Sequence, residues 1–365
     1  MSDRDANSTD RTHPQDGSHE LHGAMDQFTA HIDRGWDLVH RGDLPGAQLS
    51  AEQGLQLDAH SPEAHNLLGY VKAAQGHAED AIELYRQAIA LDDTFVEAML
   101  NAAEVLIHPL HDFDAAIGMV EEALDFAEND DERADALLLK YDAYMHQGDK
   151  DGAARVLAGF PSGPFESARL DFLVGRAHFE TGSQESALRL LSHAIEREPS
   201  YGDAHYTLAL VHEVLGDPKA VVSAFLRARE ADLALPAVPW ALSRATFEHH
   251  VRSAIARLPA PMQEFVAESE LIVAELPGAE VVADGVDPRT CLLLDTSERG
   301  PQTKSARGKV PRVFFYQRNT ERAAEELADL DEEIYLALEE ELCAAFPQLV
   351  QYATHAPDGR EGSDH

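Results

Sequence analysis

Small residues recur in this chain every 34 positions, and that period constrains the fold more than any other feature. Gly35, Gly69 and Ala103 fall 34 apart, as do Gly42 and Gly76, Ala47 and Ala81, Gly182 and Gly216, and Ala194 and Ala228. A fixed period of this length marks an array of helix-turn-helix units, each burying its apolar face against its neighbours. Gly69 and Ala103 are small where the two helices of a hairpin press together. Gly42, Gly76, Gly148, Gly182 and Gly216 stand where a first helix ends, a place that favours a left-handed residue. Ala81, Ala88, Ala187 and Ala194 let the next helix approach, and Tyr85 and Phe225 fill the space between hairpins.

The units "LLGYVKAAQGHAEDAIELYRQAIALD" and "VGRAHFETGSQESALRLLSHAIEREP" resemble the tetratricopeptide repeat. Six helix pairs are expected, beginning near Phe28, Pro62, Val96, Ala134, Ala168 and Gly202, with the third stretched around "HPLHDF". The expected fold is therefore mainly α, a solenoid of about six helix pairs over 25–235. The resemblance implies that the concave face, lined by the first helices, binds a protein or peptide. The outward stripe of those helices nominates Trp36, Asn66, Tyr70, Arg169, Phe172, Arg176, Phe179 and Tyr206 as the groove. Arg169 and Arg176 are seven apart, hence on one helix face, and suit a carboxylate or an acidic segment. The alternative is that they pair with acids of their own chain.

Composition narrows the partners. With 66 acidic and 29 basic residues the formal charge is -37, a field that repels nucleic-acid phosphates and anionic lipid. No apolar run approaches the length that spans a bilayer, so neither nucleic acid nor membrane insertion is expected. Cys291 and Cys343 lack the spacing of a zinc or disulfide motif, and the first two dozen residues lack the apolar core of a signal peptide. A cytoplasmic protein is expected. Residues 1–24 read as a disordered acidic tail, whose His13, His19 and His22 could chelate a metal, although a polar tail ordinarily does not. A linker over 236–240 follows the array, and 354–365 read as a flexible tail.

Between them, 241–353 show a different rhythm. "ELIVAELP", "CLLLDT" and "RVFFYQ" have strand character, and "TERAAEELADLDEEIYLALEEELCAAF" returns to helix, which suggests a small α+β domain. "FEHHVRSAIARLPAPMQEFVAESELIVAELP", "LLLDTSERG" and "VPRVFFYQRNTERAA" resemble blocks of the bacterial minimal zincin-like metallopeptidases. In that family a helix carries H-E-x-x-H, two histidines binding zinc and the glutamate activating water. Glu340 and Ala344 occupy the two histidine positions and Glu341 the glutamate position. Alanine has no donor atom, so the domain is expected to be a catalytically inactive relative that binds no metal and needs no cofactor, with Glu341 a vestigial catalytic residue. The competing reading is a zinc metallopeptidase with non-standard ligands, such as Glu340, Cys343 and His355. A third reading makes 241–353 a cap on the array, recognised by packing of the last array helix against "FEHHVRSAIARL". A helical wheel places Glu341 inside an apolar arc with Ile334, Leu338 and Leu342, and assigns Glu339 and Glu340 to a solvated face.

Overall fold

The structure, a computed structural model, describes residues 16–296 and 310–354. The chain divides into two compact units, Met1–Ala177 and His178–His365.

The first unit is built of helical hairpins. They are α1 (Asp16–His40) with α2 (Leu44–Leu57), and α3 (Pro62–Ala74) with α4 (Ala78–Leu91). Then come α5 (Val96–Ile107) with α6 (Phe113–Phe126), α7 (Asp130–His146) with the short α8 (Lys150–Leu157), and the start of α9 (Ala168–Glu180). The pairs begin at Pro62, Val96 and Ala168 as the period demands; the fourth begins at Asp130, and α1 at Asp16, inside the stretch assigned to a tail.

One device closes most hairpins. Gly42, Gly76 and Gly148 hold φ of 75°, 79° and 74°, and their N–H groups donate to a carbonyl three residues back. The next residue's N–H reaches five back, as Asp43 does to Leu38 and Asp149 to Tyr144, so the last carbonyls of the first helix are satisfied. That same residue opens the second helix: Asp43 and Asp149 accept hydrogen bonds from the N–H of Gly46 and Gly152. Between the helices of the second hairpin, a Cβ on Gly69 would lie 2.8 Å from the Tyr85 ring, so only glycine fits there. Ala47, Ala81 and Ala88 are fully buried at the helix contacts. The third turn departs from this plan. Pro109 cannot continue α5, His111 takes the left-handed position at φ 52°, and Asp112 N–H reaches back to Leu106, one residue further than elsewhere.

The second unit continues with α10 (Gln184–Arg197), α11 (Gly202–Leu215) and α12 (Pro218–Ala234), with Gly182 and Gly216 left-handed as before. After a stretch without helix come α13 (Arg244–Arg257), α14 (Ala260–Val266), β1 (Glu270–Ala274), α15 (Ala279–Ala283) and β2 (Leu292–Asp295). β3 (Arg312–Tyr316), α16 (Gln317–Ala323), α17 (Leu330–Ala345) and a 3-10 turn over Pro347–Tyr352 complete it. The three strands lie where alternation places them. Their order is β1-β3-β2, with β1 parallel to β3 (Leu271 opposite Val313) and β2 antiparallel to it (Leu293 opposite Phe314). Their inward residues Val273, Leu292, Val313 and Phe315 share a core with Phe247 and Val251 of α13 and Ile334, Leu338 and Leu342 of α17.

The last hairpin is not separate from this region. Val282 of α15 is fully buried in a cluster with Ala209 and Phe225, from α11 and α12. Arg289 donates to both oxygens of Asp232 at 3.0 and 3.1 Å and to Asp203 at 2.7 Å, and Arg322 donates to the Asp232 carbonyl at 2.9 Å. The contact expected of a cap through "FEHHVRSAIARL" is replaced by one through α15 and the loop to β2. α13 instead spends its apolar face on α17.

Candidate functional site

In the first unit, α1, α3, α5 and α7 lie side by side, each touching the next across its hairpin partner. Trp36 and Tyr70 meet on this face edge to face, ring centroids 5.3 Å apart, with Tyr70 36% exposed. An aromatic pair left partly open at the seam of two helices offers apolar area together with a phenol hydroxyl. Asn66, one turn from Tyr70, is 1% exposed and is no contact for a ligand. Its amide donates to Glu97 at 3.0 Å and accepts from Asn101 at 3.0 Å, a polar ladder that ties α3 to α5. The helical stripe nominated Asn66 as a groove residue, whereas this ladder buries it.

On α9 the expected arginine–aromatic set splits. Arg169 is exposed, near Asp135; desolvation raises the pKa of that carboxyl, and the Arg169 guanidinium opposes the rise. Phe172 is buried, so it supports the helix from below instead of lining a groove, and the Arg176 guanidinium covers its ring at 5.9 Å. In the second unit, Phe179 is half-buried. Tyr206 is committed to its own unit: its hydroxyl donates to Asp287 at 2.7 Å and Arg289 stacks on its ring at 4.5 Å. Burial, and then the Asp287 carboxylate, push its ionisation above the ordinary tyrosine range. No signal within the repeat foretold this, because Asp287 and Arg289 belong to the loop before β2.

The C-terminal helix reverses the expected roles of its glutamates. Glu339 is 3% exposed and accepts hydrogen bonds from the Tyr335 hydroxyl at 3.0 Å, the Thr354 N–H at 2.8 Å and the Thr354 hydroxyl at 3.0 Å. The assignment of Glu339 to a solvated face is thereby overturned. Glu341 is half-buried, with no hydrogen-bond or ion-pair partner among the described residues. Desolvation, and then the charge of Glu340, raise its pKa. His250 pairs with Asp331 at 2.6 Å, Arg252 with Glu248, and Arg318 donates to the Leu233 carbonyl at 3.0 Å, so none of these three serves Glu341. Glu340 and Ala344 are exposed. His355 and the tail histidines His13, His19 and His22 lie outside the residues whose side chains are described, as do 297–309 and 355–365.

Residues 32–106 and 172–234 match the tetratricopeptide repeat family model. A curated relative, the TPR repeat-containing protein YpiA of Bacillus subtilis (strain 168), is 26% identical over 174 residues; the match takes in 45% of this chain and spans 38% of that relative's length. Two solved structures are similar. One is pilF of Pseudomonas aeruginosa, at 16% identity and TM-score 0.48, covering 58% of this chain and 95% of that one. The other is a thermophilic TPR protein of Thermus thermophilus, at 17% identity and TM-score 0.41, covering 50% and 98%. Among the described residues no helix is long and apolar enough to cross a membrane.

Proposed function

We propose that this chain is an interaction scaffold that holds a protein or peptide segment along the first helices of its repeats. Tetratricopeptide-repeat proteins bind peptides or proteins, and the observation that carries the reading here is the Trp36–Tyr70 pair, partly open where α1 meets α3. Arg169 and Arg176, in a chain of net charge -37, supply positive charge for an acidic segment of the partner. Cys291 and Cys343 form no disulfide, which suits the cytoplasm. The test is affinity purification from the source cell with the native chain and with Trp36→Ala/Tyr70→Ala, read by mass spectrometry. A partner retained by the native chain and lost by the folded variant supports the reading; full retention overturns it.

The region 241–353 is read as a zincin-like domain without catalysis. Its support is the resemblance of three sequence blocks, joined to a helix whose positions 340 and 344 carry glutamate and alanine. The purified chain should not hydrolyse casein in a chelator-sensitive way. Chelator-sensitive hydrolysis that Glu341→Gln abolishes would establish the metallopeptidase reading in its place. The contacts of Arg289, Tyr206 and Val282 support an added role, covering the apolar end of the last hairpin.

A further inference from the structure

We propose that His108, Asp142 and His146 form a binding site for a divalent transition-metal ion, zinc by the chemistry of its donors. The three come from the turn after α5 and the last turns of α7. Asp142 and His146 are four apart on α7, which places their side chains on one face in successive turns. His108 is delivered by the lengthened "HPLHDF" turn, the one turn within the described hairpins of the first unit that closes without a left-handed glycine. Each imidazole faces a different oxygen of one carboxylate: His108 Nε2 is 3.2 Å from Asp142 Oδ2, and His146 Nε2 is 3.6 Å from Asp142 Oδ1. The donor atoms of all three residues lie within 4.8 Å of one another. A tetrahedral zinc with nitrogen and oxygen ligands at about 2.0–2.1 Å holds its donor atoms roughly 3.3 Å apart, close to the 3.2 and 3.6 Å between Asp142 and the two imidazoles.

The surroundings hold the rings as a metal site requires. Phe113, at the start of α6, stacks on His146 at 6.1 Å with 9° between planes, and the two imidazoles stand at 85° to each other. Two imidazoles and one carboxylate are a zinc donor set that leaves a fourth position for water or a ligand from a bound protein. The ion would clip the α5 turn to α7, joining the third hairpin to the fourth, whose second helix is the shortest of the array. The expectation of a metal-free protein was drawn from the C-terminal helix alone, and this site is independent of it and of the scaffold reading.

The full chain should be titrated with Co2+, whose visible absorption reports coordination by nitrogen and oxygen. Zn2+ then serves as competitor. One Co2+ per chain is expected, with affinity falling roughly tenfold or more in His108→Ala and in His146→Ala. Zn2+ should raise the unfolding temperature of the native chain and leave those variants unchanged. His13→Ala/His19→Ala/His22→Ala should keep the site. Should a variant fail to fold, protection of His108 and His146 from diethylpyrocarbonate by Zn2+ in the native chain, read by mass spectrometry, decides the matter. Unprotected histidines, or binding lost only with the N-terminal histidines, overturn the proposal.

Discussion

Glu339 and Glu341 lie two positions apart on α17 and meet opposite electrostatic conditions. Glu339 is buried with three donors around its carboxylate, so removing it takes an acceptor from the Thr354 N–H, the Thr354 hydroxyl and the Tyr335 hydroxyl. Glu339→Leu should cost about 2–4 kcal/mol in a denaturant melt, since an unpaired buried polar group loses its full desolvation energy. Glu341 has no such donors, and Glu341→Leu should change stability by less than about 1 kcal/mol or raise it. Its pKa in the folded chain lies above the ordinary glutamate value, so the folded state binds more protons than the unfolded one as pH rises past that value. The contribution of Glu341 to stability therefore falls with rising pH, and Glu341→Gln should stabilise more at pH 7 than at pH 5. A helical wheel places Glu341 inside the apolar arc but assigns Glu339 to a solvated face. What buries Glu339 is Thr354, fifteen residues on and beyond the end of the helix.

At the scale of the hairpin, two kinds of glycine do different work. Gly76 sits at φ 79° with open space around a would-be Cβ, whereas Gly69 is helical with the Tyr85 ring 2.8 Å from one. Gly76→Ala should cost about 1–2 kcal/mol through backbone strain alone, and Gly76→Asn less, because asparagine tolerates the left-handed region. Gly69→Ala should lose about 1–2 kcal/mol net, overpacking outweighing the gain in helix propensity, and Gly69→Asn should be worse. Thermal melts of the four variants separate the two mechanisms by the reversed rank of alanine and asparagine. The 34-residue period made both positions legible, since each is fixed by contacts within one hairpin. It also flagged "HPLHDF" as a stretched turn. That the stretch brings His108 beside Asp142 and His146 was not legible, because 38 positions separate the two histidines and no spacing rule joins them.

At the scale of the whole molecule, exposure of the groove candidates follows repeat geometry at some positions and distant contacts at others. Trp36 and Tyr70 meet on the first-helix face, but Asn66 and Phe172 are buried, and Tyr206 is taken by Asp287 and Arg289. Contacts 81 positions apart cannot be read from a local stripe. Within the second unit the Asp232 carboxylate is buried and depends on Arg289 for two of its bonds. Arg289→Ala should cost about 2–4 kcal/mol in a denaturant melt, because it leaves that charge with the longer Arg322 contact at 3.7 Å. The central claim, that a partner lies along the first helices of the repeats, is tested most directly by hydrogen–deuterium exchange of the chain with and without its purified partner. Protection concentrated on α1, α3 and α9, around Trp36, Tyr70 and Arg169, is the predicted result. Protection confined to residues 241–353, with those helices unchanged, would contradict it.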